Sequence, residues 1–157
     1  MLKKIISGGQ TGVDRAALNF AIAHRIPHGG WCPRGRRAED GIIKLRYHLT
    51  ETPNASCLQR TEWNVRDSDA TLILSIEPTL RGGSKQTARF AQQYRKPWLH
   101  LSRTKDAKSA PKRLAGFLVQ HKVKTLNVAG PRKSEEPGAA RFARKVLSEC
   151  PKCIPRS

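Results

Sequence analysis

The segment IISGGQTGVDR, residues 5–15, decides the fold. An apolar strand end leads into a glycine-rich turn, and an amphipathic helix begins directly after it. Glycines at 8, 9 and 12 allow positive φ angles and a close approach to a ligand. The following helix directs free N–H groups and the positive end of its dipole at the turn. The segment predicts an anion site, most often used for phosphate. The alternative is a turn whose glycines serve geometry alone.

The spacing of these glycines matches neither the dinucleotide-binding fingerprint nor the P-loop. Polar side chains nevertheless lie within the turn and in the first turn of the helix, where a purely structural connection rarely places them. The candidate ligand-binding residues from this segment are Gly8, Gly9, Gln10, Thr11, Gly12 and Asp14.

Short apolar segments alternate with helical segments along the rest of the chain. We predict strands over residues 3–7, 28–31, 70–75, 98–101 and 125–129. We predict helices over residues 14–24, 61–67, 85–95, 111–121 and 138–149. This alternation is typical of an α/β fold with a mostly parallel sheet of about five or more strands and helices on both faces.

Glycine-bearing turns follow three of the predicted strands, at residues 8–12, 82–84 and 130–132. Because parallel strands end at one edge of the sheet, these turns should converge there, where α/β proteins bind ligands. The second turn has two glycines followed by hydroxyl residues at a helix start, which adds Gly82, Gly83, Ser84 and Thr87 to the candidates. Ordinary helix capping is the alternative explanation for the hydroxyls.

A basic loop, PRGRRAEDG at residues 33–41, places cations and carboxylates together. The planar guanidinium groups of Arg34 and Arg36 suit phosphates and other oxyanions. Glu39 and Asp40 suit general acid or base chemistry or metal binding, but pairing with the arginines or hydrogen bonding to a ligand is favoured over a carboxylate dyad. Asn64, in a polar cluster before the buried strand, completes the candidate set.

The formal net charge of +18 attracts anions of many kinds, including nucleotides, oxyanions and nucleic acids. No apolar run approaches the length that spans a bilayer, and the first residues are typical of a strand rather than a signal peptide. We therefore expect a cytoplasmic protein without membrane association. The four cysteines form no disulfide framework, although Cys150 and Cys153 make a C-x-x-C pair. No metal site is predicted.

Five motifs resemble the molybdenum (molybdenum-cofactor) carrier protein family: GGQTGVDRAAL, PRGRRAEDG, RTEWNVRDSDATLIL, LRGGSKQT and LNVAGPRKSEEPG. They occur in the family's order and extend from residue 5 to about residue 147. The wider superfamily is Rossmann-like and includes cytokinin-activating phosphoribohydrolases and DNA-processing protein A. The resemblance implies one Rossmann-like domain over residues 1–149, a C-terminal tail at 150–157, and a homo-oligomer, either dimer or tetramer.

The resemblance also implies a function, which is binding the molybdenum cofactor (molybdopterin), a phosphorylated pterin, or molybdate, and protecting it from oxidation. The matching positions are the glycine turn at 8–12 together with Gly82, Gly83, Ser84 and Thr87. The expected partners are a small anionic ligand and the molybdoenzymes that receive the cofactor. No catalytic residue is predicted, so a non-catalytic carrier is favoured.

Two other functions remain open at this point. One alternative is a phosphoribohydrolase, a class of enzyme that resembles the pattern PGG-x-GT-x-x-E. In the corresponding segment of this chain, Phe90 and Ala91 stand where the glutamate of that pattern would be. A nucleic-acid-binding protein is the other alternative, because SGGQTGVDRAA resembles a segment of the DNA-processing family and the charge suits phosphate contacts. Few aromatic residues are available for base stacking, so we expect nucleic-acid binding to be weak.

Overall fold

The computed structural model describes residues 1–156. The strands are β1 (Lys4–Ile6), β2 (His28–Gly29), β3 (Trp31–Cys32), β4 (Arg37–Ala38), β5 (Gly41–Ile42), β6 (Thr50–Glu51), β7 (Ala70–Ser75), β8 (Trp98–Ser102) and β9 (Thr125–Ala129). The helices are α1 (Val13–Ala23), α2 (Cys57–Arg66), α3 (Gly82–Gln93), α4 (Arg103–Asp106), α5 (Ala110–Gln120) and α6 (Ala139–Glu149).

A parallel sheet in the order β2-β1-β9-β7-β8 forms the centre of the described chain. All residues of β7 are buried, as expected for a strand covered on both faces. Leu72 and Leu74 join the main core with α1, α5 and α6, whereas Thr71 and Ile73 alternate to the opposite face. Helix α3 packs on β7 and on α2. The predicted α/β fold with a mostly parallel sheet is confirmed.

The main core continues to the end of the described chain. Phe142, Val146 and Leu147 of α6 pack against the same core as α1 and the sheet. Cys150 and Cys153 are also buried there, and the backbone N–H of Cys153 donates to the Cys150 carbonyl at 3.1 Å. The first residues of the predicted tail therefore pack on the domain. Ser157, the last residue of that tail, lies outside the described residues.

Two helices begin earlier than the sequence pattern predicts. Helix α2 begins at Cys57 because Ser56 caps it, accepting a hydrogen bond from the backbone N–H of Leu58 at 3.1 Å. Helix α3 begins at Gly82, after an extended Arg81, so both glycines lie inside its first turn. Glycine is unfavourable mainly in the interior of a helix, so the first turn of α3 can include both glycines. A small hairpin, β4–β5, forms at the end of the basic loop.

We predict that Gly12→Ala destabilises the protein by about 2 kcal/mol or more. Gly12 precedes α1 with a φ angle of +81°, and an added Cβ would lie 2.5 Å from the carbonyl oxygen of Pro131. The matched control is Gly116→Ala in α5, where an added Cβ meets nothing within 4 Å. We expect that control to stabilise the helix by about 0.5–1 kcal/mol. Urea unfolding measures both values, and equal effects of the two substitutions would contradict the prediction.

Candidate functional site

A cleft of about 260 Å³ lies at the carboxyl end of the sheet, and we call it the inner cleft. All three glycine turns contribute to it, through Gly8, Gly83 and Gly130, so the predicted convergence of the turns is confirmed. The candidate residues that line it are Gly8, Gln10, Asp14, Asn64, Gly83, Ser84 and Thr87. The candidates outside its lining are Gly9, Thr11, Gly12, Arg34, Arg36, Glu39, Asp40 and Gly82.

The N-terminus of α1 is covered by the protein itself. The backbone N–H of Val13 donates to the Pro131 carbonyl at 3.4 Å, which Gly12 permits because it has no side chain. The carboxylate of Asp14 occupies the first turn and accepts from the Gln10 backbone N–H at 3.3 Å. This differs from the sequence interpretation, in which the N–H groups of this helix face the anion.

Two buried residues, Arg60 and Asp14, form the floor of the inner cleft. Arg60 of α2 is 8% exposed and donates to the Gly8 carbonyl at 2.7 Å. Its guanidinium lies so close that a Cβ at Gly8 would be 2.6 Å from Nη1 and 3.0 Å from the Asp14 carboxylate. Burial raises the pKa of Asp14 to about 6, although the positive charge of Arg60 opposes the rise. The carboxyl of Asp14 can therefore change its charge in the neutral range.

The N-terminus of α3 is the more open of the two helix starts. Its N-cap residue, Arg81, makes no side-chain capping bond, and an added Cβ at Gly83 would meet nothing within 4 Å. Ser84 is 7% exposed, and its hydroxyl makes no hydrogen bond to any residue within 1–156. The hydroxyl of Thr87 donates to the Gly83 carbonyl at 2.8 Å. This end of α3 can therefore offer backbone N–H groups and a free hydroxyl to an anion.

The acidic residues of the basic loop bind inward. Glu39 accepts hydrogen bonds from the hydroxyls of Thr11 and Ser134, the latter at 2.5 Å, and these bonds lower the pKa of Glu39. Asp40 accepts two hydrogen bonds from the guanidinium of Arg15, at 2.8 and 3.2 Å, which lower the pKa of Asp40. Both carboxylates thus fasten the loop to the domain, and Asp40 pairs with Arg15 of α1 rather than with an arginine of the loop as the pairing interpretation expects.

The arginines of this loop do not line the inner cleft. Arg36 holds the loop together, because its guanidinium donates to the backbone carbonyls of Ile43, Lys44, Tyr47 and Leu49. Arg34 is exposed. The sequence interpretation had both side chains contacting the anion, and the structure places them elsewhere. Gly9 lies under the segment that follows the loop, since an added Cβ there would be 2.5 Å from Leu49 Cδ1.

Asn64 lines the inner cleft and also joins two secondary-structure elements. Its side-chain oxygen accepts from the Trp31 backbone N–H at 2.7 Å, and its amide donates to the Trp31 carbonyl at 2.9 Å. These bonds attach β3 to α2.

The comparisons with known proteins agree with this fold. Residues 5–151 match the sequence profile of the circularly permutated YpsA SLOG family. The chain belongs to this family. A crystal structure of a "putative molybdenum carrier protein" from Syntrophus aciditrophicus SB is 46% identical, covers 96% of this chain and 95% of that chain, and superimposes with a TM-score of 0.90. A search of curated protein sequences found no significant match. Among residues 1–156, no helix has the length and apolar character needed to cross a bilayer.

Several cleft residues of this SLOG-family domain were missed by the sequence analysis. They are Cys57, Arg60, Thr61, Asn127, Arg132 and Glu135. Arg60 gives a weak signal in the sequence, because it directly precedes the polar cluster at residues 61–64 and shares a helix with Asn64. Arg132 ends the third glycine turn, Glu135 comes three residues later, and the two form a salt bridge of 2.8 Å. Their charges are evident in the sequence, but their position over the inner cleft depends on the path of the segment between β9 and α6.

We predict that the free energy of unfolding falls as pH rises through about 6, and that Asp14→Asn removes most of this fall. The native Asp14 carboxyl keeps its proton above the ordinary value of 3.8 and loses it near 6. The contribution of Asp14 to the free energy of unfolding is therefore fully present below the pKa that Asp14 has in the unfolded chain. It is lost as pH rises through the pKa that Asp14 has in the folded protein. The loss amounts to about 3 kcal/mol from these two values.

Urea unfolding at pH 4 and pH 8 measures this difference. The control is Asp40→Asn, because Asp40 is exposed and its pKa is lowered, so its removal should leave the Asp14 contribution in place. A wild-type protein and an Asp14→Asn variant with the same pH dependence would contradict the prediction.

Proposed function

We propose that this protein is a carrier that holds a small phosphorylated ligand in the inner cleft, and that its cargo is the molybdenum cofactor. The observation that carries the proposal is the open start of α3, where Ser84 is 7% exposed and its hydroxyl reaches the cleft surface without a hydrogen bond to any residue within 1–156. The crystal structure that is 46% identical bears the description of a putative molybdenum carrier protein, which supports this cargo.

The cleft offers donors suited to a phosphate or a molybdate ion. Uncapped N–H groups and the positive end of the α3 dipole favour negative charge at Gly83 and Ser84. Arg60 uses one terminal nitrogen on Gly8, and a guanidinium has five N–H donors in total. An anion placed beside Asp14 will favour the protonated carboxyl, so ligand binding should be accompanied by proton uptake near pH 6.

An enzyme is the second candidate function. The observation that favours it is again Asp14, because a buried carboxyl with a pKa of about 6 suits a general acid or base. Release of free adenine from adenosine 5′-monophosphate by the purified protein, lost in Asp14→Asn, would establish a phosphoribohydrolase. The carrier proposal expects no release. Molybdenum and an oxidised-pterin fluorescence signal in the purified protein would support the cofactor as cargo.

The partners follow from the carrier proposal. We propose that molybdoenzymes receive the cofactor and that the carrier assembles as a homo-oligomer. Ile42 and Leu45 support an interaction surface, because they are 65% and 82% exposed in the segment that follows the basic loop. Sedimentation of the purified protein tests the assembly. The expected cytoplasmic location stays a prediction.

We predict that Gly83→Val lowers the affinity for inorganic phosphate at least about tenfold. The new side chain enters open space at the cleft wall, where it obstructs the N–H groups of α3 without meeting another residue. Gly116→Val is the matched control, because it also adds a side chain to an open helical position but lies outside the cleft. Calorimetry at pH 5.5 gives both affinities. Phosphate affinity unchanged by Gly83→Val would refute the inner cleft as the anion site.

We predict that DNA binding is weak and disappears near physiological salt, whereas phosphate binding persists. Association with DNA releases counterions in proportion to the phosphates contacted, so its affinity falls steeply with salt. A small anion in a shaped cleft releases few counterions. Both affinities should be measured between about 50 and 200 mM salt, where multi-phosphate contacts lose several decades. DNA binding that stays tight at the upper end, without phosphate binding, would favour a nucleic-acid-binding protein.

A further inference from the structure

Two cysteines lie close together at the end of α6, in the C-x-x-C segment at residues 150–153. Cys150 is 0% exposed and Cys153 is 1% exposed, and both pack in the main core beside the apolar residues of α6. Both are free thiols, as are the other two cysteines of the chain, Cys32 and Cys57. Neither residue of the pair lines the inner cleft, so the pair is separate from the proposed anion site.

A tight turn sets the distance between the two residues of the pair. The backbone N–H of Cys153 donates to the Cys150 carbonyl at 3.1 Å, which closes a turn over residues 150–153. A turn closed in this way brings the Cα atoms of its first and last residues to within about 7 Å. Disulfide bonds join residues whose Cα atoms are about 4.4–6.8 Å apart. A disulfide between Cys150 and Cys153 is therefore compatible with the turn as it stands.

The two thiols also form a hydrogen bond with each other. This bond from the Cys153 thiol lowers the pKa of Cys150 to about 7, and the backbone N–H and charge of Lys152 act in the same direction, whereas burial opposes them. The same bond, together with burial, raises the pKa of Cys153. Because the thiolate is the nucleophilic form of cysteine, the two sulfurs differ in reactivity at neutral pH. Cys150 is the one that attacks.

The segment that contains Cys153 is held by few contacts. Within residues 151–156 the structure has one backbone hydrogen bond, the one that Cys153 donates, and four of these six residues are exposed. Segments with few backbone hydrogen bonds and few buried side chains open locally at a small cost in free energy. A small reagent can therefore reach Cys150 while the sheet and the helices stay folded.

We propose that Cys150 and Cys153 are a redox-active dithiol, which a low-molecular-weight disulfide such as glutathione disulfide converts to an intramolecular disulfide. The Cys150 sulfur attacks one sulfur of glutathione disulfide, whose S–S bond breaks, and one glutathione leaves as a thiolate. The Cys153 sulfur then attacks the Cys150 sulfur and releases the second glutathione. The two protein thiols lose two electrons and two protons in total. Glutathione disulfide gains both and becomes two thiols.

The alternative is a pair that only fills space in the core, because buried free cysteines behave as small apolar side chains. Packing alone does not require the two thiols to contact each other, whereas disulfide formation does. A disulfide also carries no charge and needs no hydrogen-bond partner, so it suits this buried position better than a Cys150 thiolate does. The arrangement of the pair therefore favours the redox interpretation.

The test is oxidation of the folded protein by excess glutathione disulfide, followed by blocking of free thiols, trypsin digestion and mass spectrometry. Trypsin cleaves between Lys152 and Cys153, so the disulfide would join the peptides VLSECPK and CIPR, residues 146–152 and 153–156. We expect this joined pair of peptides, and its loss after reduction. The exposed Cys57 should instead carry a glutathione, and the buried Cys32 should stay free.

Matched alanine variants separate the roles of the two sulfurs. Cys153→Ala keeps the attacking thiol, so its reaction should stop at a mixed disulfide between Cys150 and glutathione. Cys150→Ala keeps only the thiol whose pKa is raised, so its remaining thiol should react at least about tenfold more slowly. Circular dichroism checks that each variant folds. Equal reaction rates of Cys150 and Cys153 in the two variants would overturn the proposed order of attack.

The peptide analysis of the wild-type protein decides the inference even where an alanine variant fails to fold. A joined pair of peptides that forms only in urea would show that the cysteines serve packing alone, which would overturn the inference. Oxidation of Cys32 as fast as that of the pair would also overturn it, because opening of the whole chain would then explain both reactions. Neither result affects the proposed function, since the anion site lies elsewhere.

Discussion

The contact of Arg60 with Gly8 sets the geometry of the edge at which the inner cleft lies. It joins α2 to the turn between β1 and α1 through a 2.7 Å hydrogen bond, and the positive charge of Arg60 opposes the rise in the pKa of Asp14. Removing the guanidinium would leave the buried carbonyl of Gly8 without its partner, which commonly costs about 1–3 kcal/mol. The contact also explains why residue 8 is glycine, since a side chain there would overlap the guanidinium. The residues that form the floor of the inner cleft thus also stabilise the fold, so a substitution there changes both.

The remaining walls are held by contacts between segments that are distant in the sequence. Glu39 links the basic loop to Thr11 and Ser134, and Asn64 attaches β3 to α2. These bonds are made by polar side chains at the carboxyl end of a sheet whose apolar strands are already packed. The sheet gives the inner cleft its position, and the polar contacts give it its shape.

The fold was predictable from the sequence because its signals are local. The buried run of β7, the helical periodicity of α1 and α6, and the glycines after three strands each depend on neighbouring residues. The site was predictable only in part. Gly83 and Ser84 could be predicted because they follow a strand. The sequence pattern assigns Arg36 to the anion and gives Arg60 no role. In the structure Arg36 holds its own loop together, and Arg60 lines the inner cleft. An arginine's partner is decided by which carbonyl or carboxylate lies within its reach, and tertiary packing determines that.

The hydrogen bonds made by Glu39 and Asp40 have a consequence for the rate of ligand capture. Because these two carboxylates are bound to the domain, the cations in and just after the basic loop make no salt bridge to an acidic residue among residues 1–156 and face solvent; they are Arg34, Arg37, Lys44 and Arg46. Their field acts over about one Debye length, some 8–10 Å, and so accelerates the approach of an anion from solution. In the proposed function, dissociation depends on short contacts at α3 that this field hardly affects. Added salt should therefore slow the arrival of a ligand far more than it shortens the ligand's residence.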